Sequence, residues 1–106
     1  MNVFCIAGTI EELPVLKETN NGIKTCTVLL KCERPFANSD GIYESDYIQI
    51  DVWRGLAQTL CSVSKVGNWI AVKGRVSSRS VERDDRTFYN YSFIAEHIEF
   101  IKKGIE

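Results

Sequence analysis

The nonapeptide SDYIQIDVW is the stretch that most restricts how this chain folds, because its apolar and polar positions alternate without interruption. Successive side chains leave a β-strand on opposite faces. Ile48, Ile50 and Val52 therefore share one face, and the opposite face carries Tyr47 and Trp53 beside a glutamine and an aspartate. Large rings on an otherwise polar face are either covered by another layer or displayed for a ligand to stack on. The pattern predicts a strand with an aromatic outer face and leaves these two uses open.

The period of the apolar residues changes from two to about 3.6 directly after this strand. In the segment RGLAQTLCSVSKVG, the residues Leu56, Leu60 and Val63 stand at i, i+4 and i+7. This spacing predicts a short helix that packs by one apolar stripe. Lys65 and the following Gly67 are typical of a helix C-terminus.

Extended segments lie on both sides of this strand and helix. Before them come NVFCIAG, which alternates weakly, and IKTCTVLLKCER, which puts Cys26, Val28, Leu30 and Cys32 on one face. After them come NWIAVKGRVSSR and TFYNYSFIAEHIEFI, the last with a bend expected near Ala95. Three strands, one helix and two strands in this order are typical of the OB-fold, a five-stranded Greek-key barrel that binds oligonucleotides or oligosaccharides. The fold class predicted is therefore all-β.

Chain length and net charge limit the possible functions but do not decide between them. The 106 residues, 44% of them hydrophobic, suit one domain with a real core, expected over residues 1–106. Thirteen basic and fourteen acidic residues give a formal net charge of -1. That balance counts against a nucleic-acid binder at the level of the whole chain, so the local placement of charge must decide.

Several function classes are not expected from this sequence. It has no basic region of a signal peptide and no apolar run near the roughly 20 residues of a membrane span, which predicts a cytoplasmic protein without membrane contact. Its four cysteines form no C-x-x-C pair, and it has one histidine. Neither a metal site nor a cofactor is expected, and the thiols are interpreted as reduced and largely buried. No nucleophile–base set or phosphate loop is present, so we expect no enzyme.

Four stretches resemble the bacterial single-stranded DNA-binding protein family, in order and without large gaps. GTIEELPVLKETNNG is similar to that family's first-loop pattern of Gly, an aliphatic residue, Pro, Leu, a basic residue, Thr and Gly. The segment ERPFANSDGIYESDYIQIDVWRGLAQTL resembles its loop, strand and helix. VGNWIAVKGRVSSRS resembles the segment that ends in Gly-Arg-aliphatic, and AEHIEFI resembles the closing strand. The resemblance thus covers essentially the whole chain.

The resemblance implies an OB-fold that forms a homotetramer, or a dimer, and binds single-stranded DNA with little sequence preference in replication, repair or recombination. The family is known for stacking bases on aromatic side chains in a basic groove. On matching positions, this predicts stacking on Phe36, Tyr47 and Trp53. Contacts with the DNA backbone are predicted for the basic residues near these rings, Arg34, Arg54, Lys73, Arg75 and Arg79.

The sequence departs from the family pattern mainly in its charges. Thr9 stands where a basic residue is frequent, Asp51 lies between two of the predicted stacking rings, and Val81 replaces a frequent aromatic base-stacker. The turn VERDDR adds three acidic residues. These changes predict weaker binding, or a smaller footprint, than in a typical member. The chain also ends at Glu106, where the family usually continues to an acidic tail, so no tail for recruiting repair proteins is expected here.

Two further uses of the aromatic residues remain open. Tyr89, Tyr91 and Phe93 share a parity on the last strand, and their expected place is the core or an interface. The aromatic outer face, in turn, also suits a protein-interaction module such as a primosome-accessory subunit with weak DNA binding. The near-neutral net charge favours this alternative modestly.

Overall fold

A computed structural model describes residues 1–101 of the chain. Residues 102–106, which include the expected end of the domain and the C-terminus, lie outside the described residues. The elements are β1 (Phe4–Glu12), β2 (Lys17–Glu18), β3 (Lys24–Glu33), β4 (Ser45–Trp53), α1 (Arg54–Val63), β5 (Trp69–Arg83) and β6 (Arg86–Phe100).

Five of the strands form a closed ring. The sheet order is β1-β5-β6-β4-β3, and an additional β1–β3 pairing joins the two ends. The pairings are antiparallel except that of β4 with β6, which is parallel. The helix α1 stands between the third and fourth strands of the ring, so the OB-fold prediction is confirmed. The two-residue strand β2, which pairs with the start of β3, is the one addition to the expected order.

The core of the barrel consists of apolar side chains from the inner faces of the strands together with two helix residues. The buried members are Phe4, Ile10, Cys26, Val28, Leu30, Ile50, Val52, Ala57, Leu60, Ile70, Val72, Ala95 and Ile98. The alternation predicted for β3, β4 and β5 is therefore confirmed, since each contributes every second residue to this set.

The apolar stripe of α1 is rotated from the one predicted. Ala57 and Leu60 are buried, and Leu56 and Cys61 pack partly against the core. Val63 is 48% exposed, so its predicted place in the stripe is wrong. The helix is only ten residues long and packs on β3 and β4, and Val63 is its last residue.

The cysteines are less buried than expected. All four are free thiols, but only Cys26 is buried, and Cys5 is exposed because it lies on the outer face of β1. Burial is the main cause that raises the pKa of Cys26 to about 12, with the neighbouring Cys61 adding to it. Among residues 1–101, no cluster of side chains suits a metal ion, and no helix is long and apolar enough to span a membrane.

The β5–β6 hairpin extends well beyond the barrel. The pairing of β1 with β5 ends at Gly74, and the pairing of β4 with β6 begins at Phe93, so the part of the hairpin over residues 77–92 is a two-stranded ribbon. We call this part the ribbon. Tyr89 and Tyr91 lie in it, 59% and 69% exposed, so they are not in the core, and the other predicted place, an interface, stays a prediction. Within the described residues no third strand or helix covers them, whereas Phe93 at the barrel edge packs edge-to-face on Phe4.

Two local features shape this hairpin. The pairing shifts by one residue between Ala95 and His97, which confirms the bend expected near Ala95. Gly74 lies at this shift, and a Cβ there would clash with the carbonyl of Ile94 and the ring of Phe4. The ribbon ends in a two-residue turn, Asp84–Asp85, with both φ angles positive, as a type I′ turn requires.

Candidate nucleic-acid interface

The outer face of β4 displays both of its aromatic rings. Tyr47 is 56% exposed and Trp53 is 40% exposed, while Ile50 and Val52 between them are fully buried. The rings are six residues apart, which is about 20 Å along a strand. The aromatic face, as we name it, comprises the outward residues of β4 (Tyr47, Gln49, Asp51, Trp53) and their partners on β3 (Lys31, Leu29, Thr27, Thr25).

Lys31 is a member of the aromatic face that sequence reasoning missed. It lies directly opposite Tyr47 in the β3–β4 register and is exposed. Side chains opposite each other on one face of an antiparallel pair have Cβ atoms about 5 Å apart. The alternation of β3 already placed Lys31 outside, but the sequence contained no signal for the register that sets it beside Tyr47.

Asp51 occupies the middle of the aromatic face, as the alternation predicted. Its carboxylate accepts a hydrogen bond of 2.9 Å from the hydroxyl of Thr27, its partner on β3. Described residues 1–101 contain no cation within ion-pair distance of this carboxylate. A net negative charge therefore lies between the two exposed rings.

Two open grooves meet on the aromatic face. One, of about 340 Å³, lies between β3 and the segment that follows β1, and its wall includes Leu13, Val15 and Lys17. The other, of about 420 Å³, lies between β4 and the ribbon, next to Tyr47 and Tyr91. The two grooves share Leu29 and Gln49, so together they form one continuous path across β3 and β4.

Arg34, a predicted backbone contact, is held by two carboxylates where the β3–β4 hairpin leaves the sheet. Its guanidinium donates to Asp46 at 2.9 Å and to Glu44 at 3.1 Å. The hydrogen bond from Arg34 lowers the pKa of Asp46 below its ordinary value, and the same bond raises the pKa of Arg34. Since the pair is exposed, it is screened by solvent, but the positive charge of Arg34 is locally balanced.

Phe36 projects from the loop that joins β3 to β4. It is 65% exposed, and the loop around it is built on Asn38, whose side chain accepts hydrogen bonds from the amides of Asp40 and Ile42. The backbone of Asn38 also pairs with Ile42. The loop is thus an ordered extension of the β3–β4 hairpin that presents the ring to solvent.

Arg75 and Arg79 lie on the face that continues the aromatic face onto the hairpin. The pairing of Asp51 with Ile94 links the outer face of β4 to that of β6, and Ile94 in turn pairs with Arg75. Arg79 lies four residues after Arg75 on β5, so its side chain leaves from the same face. Arg75 is 4.0 Å from the carboxylate of Glu96, which is a weak contact.

The other two residues predicted to contact the DNA backbone, Lys73 and Arg54, do not lie on the aromatic face or its continuation on the hairpin. Lys73 is exposed but lies toward β1, between Cys5 and His97 in the sheet register, on a part of the barrel away from Tyr47. Arg54 follows Trp53 directly and begins α1 with a φ of 61°, a left-handed conformation that is uncommon for residues other than glycine. The structure therefore groups Tyr47, Trp53, Arg75 and Arg79 on one surface and sets Lys73 apart.

Comparison with known proteins agrees with this architecture. The model of the "Single-strand binding protein family" matches residues 1–101, and the chain belongs to this family. The chain is 34% identical over 103 residues to "Single-stranded DNA-binding protein 3" of Listeria innocua, covering 96% of this chain and 64% of that relative. It is 28% identical over 101 residues to "Single-stranded DNA-binding protein B" of Bacillus subtilis, covering 94% of this chain and 89% of that relative.

A solved structure supports the fold. The single-stranded DNA binding protein from Thermus aquaticus, as a deletion mutant, superposes with a TM-score of 0.79 at 21% identity, over 98% of this chain and 52% of that one. At this identity the likeness concerns the fold alone. The match of the family model over residues 1–101 confirms the predicted membership of the family. The chain spans somewhat under two thirds of the length of several of its relatives.

Proposed function

We propose that this protein binds single-stranded DNA with little sequence preference, by stacking bases on the aromatic face and holding the backbone with nearby cations. The observation that carries the proposal is the exposure of Tyr47 and Trp53 on one strand face, beside a continuous groove. A base stacked on an aromatic side chain contributes about 1–3 kcal/mol whatever its identity, because every base has a π face. Membership of the single-strand binding protein family supports the same function.

The phosphates of such a strand would meet cations on two sides of the aromatic face. Lys31 lies beside Tyr47, while Arg75 and Arg79 extend the same face onto the hairpin. Phe36 and Arg34 would contact the strand where it passes the β3–β4 loop, Arg54 would contact it next to Trp53, and Lys73 remains as a more distant contact. Asp51 opposes a polyanion locally, so we expect moderate affinity rather than the tightest binding.

We further propose that the protein acts as a homotetramer or a dimer in DNA replication, repair or recombination, by protecting unpaired strands. Binding rather than catalysis is the activity we infer, as in other members of the family. Light scattering on the free protein reports the molar mass and so distinguishes the tetramer, the dimer and the monomer.

Fluorescence titration tests DNA binding directly. The variant Trp69→Phe leaves Trp53 as the only tryptophan, because the chain has two. Titration of this variant with a poly-dT oligonucleotide should quench the indole emission, since a stacked base quenches it. Tyr47→Ala in the same background should weaken binding by about 5- to 150-fold, the equivalent of roughly 1–3 kcal/mol.

Tyr89→Ala is the matched control for Tyr47→Ala. Tyr89 is a tyrosine of nearly equal exposure, 59%, but it lies on the opposite side of the ribbon. We expect its replacement to leave the affinity unchanged. Equal losses in the two variants would place the bound strand elsewhere and contradict the assignment of the aromatic face.

The competing function is a protein-interaction module, and two observations favour it. The charge of Arg34 is balanced by two carboxylates, and Asp51 puts a negative charge among the exposed rings. In that case the Trp53 emission would not respond to DNA at any salt concentration, although the rings are exposed. The absence of quenching at low salt would therefore favour protein docking over DNA binding.

A further inference from the structure

An exposed phenylalanine occupies the middle of the ribbon, on the face that continues the aromatic face. Phe88 is 46% exposed and pairs with Val81 across the ribbon. The residues of β6 that alternate with it, down to Ile94, lead to the pairing of Ile94 with Asp51 on β4. No shift of register interrupts the ribbon between these positions. Phe88 and the rings on β4 therefore belong to one continuous face.

The neighbours of Phe88 on this face are cationic. Arg79 and Arg83 stand two residues before and after Val81, so they are the diagonal neighbours of the ring, and Arg86 stands two residues before it on β6. Diagonal neighbours in an antiparallel pair have Cα atoms about 7–8 Å apart, within reach of long side chains. The positions next to Phe88 on this face therefore carry three arginines, Asn90 and the half-buried Val81.

These arginines differ from Arg34 in having no acidic partner. Within residues 1–101, none of Arg79, Arg83 and Arg86 lies within 4.0 Å of a carboxylate. Glu82 has the opposite parity and pairs with Thr87, so its side chain leaves from the other face of the ribbon. The alternation thus separates Glu82 from the arginines, while Asp84 and Asp85 lie in the turn between Arg83 and Arg86 without an ion pair to either.

We infer that Phe88 is a base-stacking platform for single-stranded DNA, with Arg79, Arg83 and Arg86 holding the phosphates on either side of the stacked base. An exposed apolar ring among unpaired cations suits a ligand that has both a flat apolar surface and a negative charge. An unpaired nucleotide has both, whereas a base inside a duplex does not expose its face. This assignment rests on the proposed function and extends the interface from β4 along the ribbon.

The test compares three variants in the Trp69→Phe background with a poly-dT oligonucleotide long enough to reach the ribbon. Phe88→Ala should weaken binding by roughly tenfold, as the loss of one stacked base does. Tyr89→Ala, the neighbouring ring on the other face, should bind as the parent does. The exchange Phe88→Val with Val81→Phe moves the ring to the partner strand on the same face and should restore most of the affinity.

The outcomes separate this inference from the proposed function. If Tyr47→Ala weakens binding and Phe88→Ala does not, the ribbon platform is wrong and the proposed function stands. If Phe88→Ala and the exchange variant are equally weak, the ring acts by shaping the ribbon, and the platform is again wrong. If the parent protein does not bind the oligonucleotide, both fail. Far-UV circular dichroism of each variant checks that the ribbon has folded.

Discussion

The base of the β3–β4 loop and the β5–β6 ribbon both have arginines close to acidic residues in the sequence, but they arrange these charges differently. At the loop, Arg34 meets Glu44 and Asp46 within 3.1 Å, so opposite charges pair on one surface. On the ribbon, alternation puts Arg79 and Arg83 on one face and Glu82 on the other. Two carboxylates therefore offset the charge of Arg34 at the loop, while the face of the ribbon with Arg79 and Arg83 is cationic.

The difference explains why the net charge of -1 says little about binding. A strand separates neighbouring charges by face, because adjacent side chains point to opposite sides. A loop can fold back and bring distant charges into contact, as it does for Arg34 and Asp46. The potential met by a ligand depends on the face and not on the sum over the chain.

The largest expected effect comes from removing arginines in the two regions in turn. Arg79→Ala combined with Arg83→Ala should weaken oligonucleotide binding roughly tenfold at low salt and reduce the slope of log K against log salt by about 1.4, at about 0.7 per phosphate contact. Arg34→Ala should change both quantities much less, since its charge is already balanced. Titrations at 50 and 200 mM salt measure both.

A loss of oligonucleotide affinity for Arg34→Ala as large as that of the double variant would contradict the proposed difference between the loop and the ribbon. It would mean that the carboxylates release Arg34 when DNA binds, so that the loop too presents a free cation. The fold of each variant can be checked by thermal denaturation, because all three arginines are on the surface and their removal should leave the melting temperature nearly unchanged.

A smaller effect is expected from the turns that close the two regions. Asp85→Gly should stabilise the protein by about 1 kcal/mol, because Asp85 has a φ of 60° and glycine adopts such angles without strain. Asp40→Gly in the β3–β4 loop should destabilise it by a similar amount, about 1 kcal/mol, because Asp40 has no positive φ and glycine only adds freedom to the unfolded chain.

Urea denaturation measures both turn variants, and hydrogen exchange of the ribbon amides shows where Asp85→Gly acts. Slower exchange confined to the ribbon is the expected pattern. Two variants that shift stability in the same direction would show that backbone strain at the tip of the ribbon is not the cause.

The smallest effect is the pH dependence of the Arg34–Asp46 pair. The hydrogen bond from Arg34 lowers the pKa of Asp46. The folded protein therefore keeps this carboxylate ionised at a pH where the unfolded chain binds a proton. The stabilisation is therefore present above about pH 4 and is lost as the pH falls through the lowered pKa. Asp46→Asn should be slightly less stable than the parent at pH 7 and equal to it in acid.

Thermal denaturation of the parent and of Asp46→Asn between pH 2 and pH 7 measures this difference in stability. Because the pair is exposed, we expect a small difference at pH 7. A difference that persists unchanged at the lowest pH would show that Asp46 contributes through packing and not through its charge.

Much of the fold could be predicted from the sequence because strands and helices have different apolar periods. The alternation in β4 gave the inner residues Ile50 and Val52 and the outer rings Tyr47 and Trp53 correctly. Errors occurred where the partner layer decides burial. Tyr91 has the parity of Phe93, but the barrel ends between them, so one ring is exposed and the other is packed.

The sequence by itself determined the secondary structure, the inner and outer faces of the barrel strands and the family. Only the tertiary structure decided which outer residues share a surface. Lys31 and Tyr47 became neighbours through the register of two strands, and Arg34 was paired with Asp46, twelve positions further along the chain, by the closure of a loop. Local alternation is fixed by covalent geometry, whereas register and loop closure depend on packing across the whole barrel.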